Sequence, residues 1–359
     1  MASDDQLAID LHDVAKVYRR KVHALRGISM QVHTGEIFGL LGANGAGKTT
    51  LVKIMMTIVR PTRARGTLLG RPIGSKPTLA QVGYLPEHHR FPPYLKAKEA
   101  LAYYAALARV PRAQRKVRIA DLLARVGMAE YANARIGTFS KGMMQRIGLA
   151  QSMLNDPRLI LLDEPTDGVD PIGRRDIRNS LLELKLLGKT VFINSHLLSE
   201  VEMICDRVAI LHQGLVVRQG RIADLTRDRS YYEIELQIDP ATAREAVTAA
   251  LGCNLVDAAG PAAVQGATAV GVGQLPDGRR VELDGAFIRL AAGDAAGIQG
   301  IIDALRRASL TIKAIRPVRQ SLEDFFIQTV ESQPTEAPGR PNNAPPPYLP
   351  ASPAAGGRA

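Results

Sequence analysis

The chain has 359 residues, enough for a main core and a smaller second one, and its 46% hydrophobic and 23% charged residues lie in the range of a globular protein. No stretch reaches the roughly 18 consecutive apolar residues that cross a bilayer, and Met1 to Asp10 carries early aspartates where a leader would be basic and then apolar, so a cytoplasmic chain is expected. A net charge of +11 fits an anionic membrane surface or an arginine-rich proteome better than nucleic acid, because aromatics make up only 4% and no basic run is interleaved with stacking residues.

Leu7 to Val14 and Ile28 to Val32 alternate apolar and polar residues, which predicts two strands of a half-exposed sheet. From Glu36 the pattern changes. Ile37 to Leu41, Leu159 to Leu162 and Thr190 to Ile193 are continuous apolar runs, suited to strands buried on both faces of a mainly parallel sheet with helices between them. Between Glu99 and Met128, Leu101, Ala105, Leu107, Ile119, Leu122, Leu123 and Val126 recur near the helical period, which predicts a helical insertion. Arg207 to Leu211 and Leu215 to Val217 flank a His-Gln-Gly turn and close the first domain near Thr226.

From Tyr231 the texture is different. Alternation over Tyr232 to Leu236, a helix-like stretch to Leu251, glycine-rich turns, the segment Val281 to Leu290 and a helix around Ile298 to Arg306 predict a small α+β domain. Ser321 to Asp324 has the form of a capping box opening a last helix that runs to Val330. The expected boundaries are 7–226 for the first domain, with a helical subdomain at about 88–156, then 231–330 for the second and 331–359 for a disordered Pro/Ala/Gly-rich tail. Cys205 and Cys253 are far apart and lack metal-ligand spacing, and both read as core thiols.

Gly42, Ala43, Asn44, Gly45, Ala46, Gly47, Lys48 and Thr49 have the spacing of a phosphate-binding loop, placed between a predicted strand and the helix-like Thr50 to Val59. The glycines let backbone N–H groups face phosphates, the helix N-terminus adds partial positive charge, Lys48 bridges β- and γ-phosphates, and Thr49 can ligate Mg²⁺. A second motif supports the first. The buried strand Leu159 to Leu162 delivers Asp163 and Glu164 at its carboxyl end, where α/β sheets hold ligands; Asp163 would hold Mg²⁺ through water, and Glu164 would activate the attacking water.

Ser140-Lys141-Gly142-Met143-Met144-Gln145-Arg146, just before that strand, resembles the signature motif of the ATP-binding cassette (ABC) ATPases. Phosphate loop, signature, acidic strand, Asp167-Gly168-Val169-Asp170 and His196 follow that family's order over about Leu7 to Thr226. The resemblance implies a P-loop α/β cassette with a mixed, mainly parallel sheet core, an antiparallel N-terminal β subdomain and a helical insertion, here followed by the small C-terminal α+β domain. Its implied cofactors are ATP and Mg²⁺. Its implied partners are a separately encoded transmembrane permease, which would hold this chain peripherally on the inner face of the cell membrane, and a second cassette, with no specific nucleic acid. It further implies that the phosphate loop through Thr50 holds nucleotide and that Ser140 and Gly142 contact ATP on the opposing cassette. Asp170 would cross the interface, His196 would hold the γ-phosphate, and Tyr18 would stack on adenine. Read alone, His196 is a structural strand-end histidine and Tyr18 a core or surface tyrosine.

Two departures stand out. Lys141 and Met143 replace a glycine and a glutamine of the common signature, a variant that resembles export-type cassettes. Glu87 stands where the family has a glutamine that senses Mg²⁺ and the permease, and a carboxylate there could itself reach the metal. His88, His89 and Arg90 follow and read as a solvated loop. The expected function is ATP binding and hydrolysis that powers transport, in the export direction. The competing reading is a non-transport ABC ATPase acting on nucleic acid or ribosomes, for which neither a long coiled coil nor a second cassette is present in the sequence.

Overall fold

The computed structural model describes residues 6–19, 21–226, 231–257, 271–291, 295–318 and 321–331. The expected tail at 331–359 lies, from 332 onward, outside the described residues. In chain order the first part contains β1 (Leu7–Tyr18), β2 (Val22–His33), β3 (Ile37–Leu41), α1 (Lys48–Met55), β4 (Arg63–Leu68), β5 (Arg71–Pro72), α2 (Lys76–Leu79) and β6 (Val82–Leu85). There follow α3 (Ala97–Leu107), α4 (Arg112–Arg125), α5 (Lys141–Ser152), β7 (Leu159–Asp163), α6 (Pro171–Leu186), β8 (Thr190–Ser195), α7 (Leu198–Ile204), β9 (Arg207–His212), β10 (Leu215–Arg221) and α8 (Ile222–Leu225). Beyond these lie β11 (Tyr231–Leu236), α9 (Pro240–Leu251), β12 (Val256–Asp257), β13 (Gly271–Gln274), β14 (Arg280–Asp284), β15 (Phe287–Ala291), α10 (Gln299–Arg307), β16 (Ile312–Val318) and α11 (Leu322–Glu331).

The antiparallel sheet runs β2-β1-β4-β5. Both long strands extend well past the alternating segments, because β1 shifts register around Asp13, whose backbone is left-handed at φ +52°, and the alternation changes face there. Its inward residues, among them Ile9, Leu11, Ile28 and Met30, pack with Phe38 and Leu40 of β3 and with Leu51, Val52 and Met55 of α1. The central sheet runs β10-β9-β3-β8-β7-β6 and is parallel except for the β9/β10 hairpin. Every residue of β3, β7 and β8 is buried, as two-sided coverage demands of apolar runs. In consequence the carboxyl ends of β3, β7 and β8 lie side by side.

The opposite face of that sheet packs on α3, α4, α5 and α6, with Leu101, Ala105, Ile119, Leu122, Leu123 and Val126 inside. Leu107 departs from the predicted stripe and is 61% exposed at the end of α3. Helix α6 is hard to read in the sequence because Arg174, Arg175, Asp176 and Arg178 crowd its polar face around a narrow buried strip of Ile177, Leu181 and Leu184.

The third sheet, β12-β13-β14-β15-β11-β16, is antiparallel and packs on α9 and α10. Val281 to Leu290 splits at Gly285, φ +58°, into the β14/β15 hairpin. After β16 the chain returns to the first part. Leu322 of α11 is fully buried in the same cluster as α3 to α6, Phe325 and Phe326 pack against it, and the Leu322 N–H donates to Glu202 Oε2 on α7 at 3.2 Å. Cys205 and Cys253 are both buried free thiols, and burial pushes the Cys205 thiol far up.

Candidate nucleotide-binding site

Gly42 to Thr49 wraps from the end of β3 into α1. Gly45 and Gly47 take φ of +83° and +110°, and a Cβ on Gly42 or Gly47 would collide with the carbonyl oxygens of Leu211 or Ala24, so only glycine lets the loop close this tightly. Asn44 and Gly45 remain exposed while Ala46 is buried under the loop, and Thr50 is half-buried on α1. Lys48 is buried; its Nζ donates to the carbonyl oxygens of Gly42 at 2.7 Å and Ala43 at 3.3 Å and lies 4.0 Å from Glu164 Oε1. Burial pulls its pKa down, opposed by the charges of Glu164, Asp163 and Glu87.

Across from the loop, Asp163 ends β7. Its Oδ1 accepts from the Thr49 hydroxyl at 3.3 Å and from the Asn194 side-chain amide of β8, whereas its buried Oδ2 has no protein partner. Burial pushes this carboxyl up to about 6; the Thr49 and Asn194 hydrogen bonds oppose the rise and the charges of Glu87 and Glu164 add to it. Glu164 follows in a left-handed conformation, φ +53°, held by its N–H donating to Asn194 O at 2.9 Å. That turn aims its carboxylate between two partners: Oε2 lies 2.8 Å from His196 Nδ1, and Oε1 faces Lys48. Lys48, Thr49, Asp163, Glu164 and His196 therefore converge at the carboxyl ends of three adjacent parallel strands, where an α/β sheet holds its ligand.

The other expected residues sit around this cluster. Tyr18 ends β1 with 36% of its surface exposed and the Lys16 ammonium 4.8 Å from its ring centroid. Glu87, just after β6, is exposed, and its charge is felt at both Lys48 and Asp163. Ser140 caps α5, its hydroxyl accepting from the Met143 N–H at 3.2 Å, and Gly142 follows on the same first turn. Asp170 caps α6 by accepting from the Gly173 N–H at 2.7 Å. Lys141, the unusual signature residue, bonds Asp167 Oδ2 at 2.7 Å and so ties the start of α5 to the loop after the acidic strand.

Asn194 and His89 carry contacts that the sequence analysis did not assign. The sequence signal for Asn194 is a polar residue directly after the apolar Val191–Ile193 of β8, and the structure pairs it in register with Asp163. For His89 the expectation of a solvated loop is corrected. His88 is exposed, but His89 is half-buried, with Nδ1 3.2 Å from Pro86 O and Nε2 3.1 Å from Met144 O on α5.

With the geometry in view, similarity to known proteins becomes informative. The family model for ABC transporters matches residues 25–167. An uncharacterised ABC transporter ATP-binding protein of Synechocystis sp. is 36% identical over 90% of this chain and 85% of its own length. The chain belongs to the ABC transporter ATP-binding proteins. The Nod factor export ATP-binding protein I of Rhizobium etli is 30% identical over 91% of the chain and 95% of its own length. A solved ATP-binding subunit of an ABC transporter shares 28% identity and a TM-score of 0.56, covering 61% of this chain and 92% of that one. The protein is thus an ATP-binding and hydrolysing transporter subunit, and subunits of this family dimerise and work with transmembrane permeases. Among the described residues no helix is long and apolar enough to cross a membrane. The reading as a nucleic-acid or ribosome ATPase is not favoured by these matches.

Proposed function

We propose that this cassette powers export through a separately encoded permease, docked on the inner face of the cell membrane and paired with a second cassette, and that residues 7–226 are its nucleotide-binding unit. The observation that carries the reading is the convergence of Lys48, Asp163, Glu164 and His196 at one strand-end cluster. The similarity to a Nod factor export subunit over nearly all of both chains supports the export direction. The 231–330 region has the part of an accessory domain beside that unit.

In this reading the backbone N–H groups of Gly45, Ala46 and Gly47 cradle phosphate oxygens, and the Lys48 donors, now spent on Gly42 and Ala43, transfer to the β- and γ-phosphates. The residues present suit Mg²⁺, because the buried Oδ2 of Asp163 lacks a partner beside the Thr49 hydroxyl, with the charge of Glu87 nearby. When bound, the metal offsets the charge of the phosphates. Glu164 takes a proton from the attacking water as its oxygen bonds to the γ-phosphorus and the bond to the ADP oxygen breaks. His196, bonded to Glu164, holds the γ-phosphate. Ser140 and Gly142 offer the N-terminus of α5 to ATP on the opposing cassette, with Asp170 at the interface and Tyr18 against adenine.

The test is to express tagged Glu164→Gln chain in its native host, extract membranes gently with ATP and Mg²⁺, and identify what copurifies in stoichiometric amount. A polytopic membrane protein is expected, and its own family would report the direction of transport. Ribosomes or DNA-repair proteins in its place would overturn the reading.

A further inference from the structure

The imidazole of His89 spans a gap between two functional parts of the chain. Its Nδ1 side faces Pro86 O, the residue before Glu87, and its Nε2 side faces Met144 O, one helical turn beyond Ser140 on α5. Both partners are acceptors and the neutral ring has a single N–H, so it donates to one of them, and the Nε2–H tautomer is the one that joins the loop to α5. The ring is also held from a third side: it packs edge-on against Phe91, centroids 5.6 Å apart, and Phe91 packs edge-on against Tyr104 of α3.

A separate feature of α5 accommodates this ring. Gly148 sits in the middle of the helix, where glycine is a much poorer helix former than alanine. A Cβ there would stand 2.8 Å from His89 Nε2 and 2.6 Å from Leu85 Cδ1 of β6. The helix carries a residue that weakens it, at the place where the imidazole and the end of β6 need its room. Neither feature serves the strand-end cluster around Lys48 and Glu164 directly.

We propose that His89 is a positioning residue that locks the Glu87 loop to the signature helix α5. Resting on the functional reading above, the lock makes the loop beside one ATP site and the Ser140–Gly142 surface offered to the other move as one piece. His89 touches neither nucleotide nor reacting water; it acts through Glu87 on one side and through α5 on the other.

The two half-sites can be measured separately in the full-length Glu164→Gln chain. A fluorescent ATP analogue at low protein concentration reports the phosphate loop alone, and light scattering against ATP concentration reports pairing through the signature. His89→Ala is expected to leave the analogue affinity within about twofold while raising the ATP needed for half-maximal dimerisation about fivefold, the loss of roughly one hydrogen bond. Gly148→Ala, whose Cβ would crowd both the ring and Leu85, is expected to raise the midpoint at least as much as His89→Ala. His89→Gln, which keeps an N–H donor, is expected to lie between wild type and His89→Ala and stands in should the alanine variant not fold. An unchanged dimerisation midpoint overturns the proposal. So does an equal loss of analogue affinity, as a merely structural residue would give. Failure of the Glu164→Gln parent to dimerise with ATP overturns the pairing reading itself, and the proposal with it, before any His89 variant is made.

Discussion

The strand-end cluster and the β11–β16 sheet treat polar groups in opposite ways. In the first part of the chain Lys48, Asp163, Glu164, Thr166, Asn194 and Ser195 are buried, a costly set kept only because each finds or awaits a partner. Among the described residues from 231 to 318 no charged or polar side chain is buried; the inner face is Ile234, Leu236, Val281, Leu283, Ile288 and Leu290, and the charges form exposed or half-exposed pairs such as Arg289 with Glu233 and Lys313 with Glu235. A region whose buried polar groups are strained and incompletely paired is built for chemistry; one whose polar groups all face outward is built to pack and to present a surface.

The largest effect expected from this contrast is in turnover. Glu164→Gln should lower the ATPase rate by about a hundredfold or more, as loss of a general base does, while a nucleotide-binding assay shows ATP retained. Normal turnover in that variant would erase the distinction between the two regions.

The attachment between the regions comes next. Leu322→Ala removes a fully buried side chain by which α11 packs on the first part of the chain and should cost about 2–4 kcal/mol. It should appear as lost hydrogen-exchange protection in α11 and α7, with the β11–β16 sheet still protected.

The strained half of the comparison has a pH signature in the metal-free, nucleotide-free chain. Burial pushes the Asp163 carboxyl up to about 6 in the folded chain, well above the usual range of a free aspartate. The folded state therefore takes up a proton that the unfolded state does not, and stability gains as pH falls through 6 toward 3.8 and is lost as pH rises. Asp163→Asn should stabilise this form by on the order of 2 kcal/mol at pH 7.5 and by little at pH 4, measured as the difference between the two melting curves. An equal difference at both pH values would show that burial of the charge is not what strains the site.

The smallest effect is expected on the outer face of the third sheet. Glu233→Gln breaks a partly exposed pair with Arg289 and should cost less than about 1 kcal/mol in denaturant melts, with ATPase rate unchanged.

Much of the site was legible because its chemistry depends on short, contiguous segments. A phosphate loop works through the backbone of successive residues, so Gly42, Gly45, Gly47 and Lys48 carry their meaning in their spacing, and the acidic pair is marked by the apolar strand before it. The signature departure at Lys141 was visible as a letter, but its bond to Asp167, 26 positions away, was not. His89 is hard to read for the same reason: its polar sequence neighbours imply solvent, whereas α5 and Phe91 pack on it in space.

Local periodicity and the spacing of a few glycines determined, from sequence alone, where the buried strands run, where the glycine-rich loop proposed to cradle phosphate turns into α1, and which carboxylates end the acidic strand. Strand order was decided only by folding, and with it the meeting of Asp163 with Asn194 and of Glu164 with His196, since these pairs come from β7 and the end of β8, 31 and 32 residues apart. The landing of α11 on α7 also needed the third dimension, because a helix past a separate sheet can bury Leu322 against any complementary surface, and only the packed core shows which one it meets.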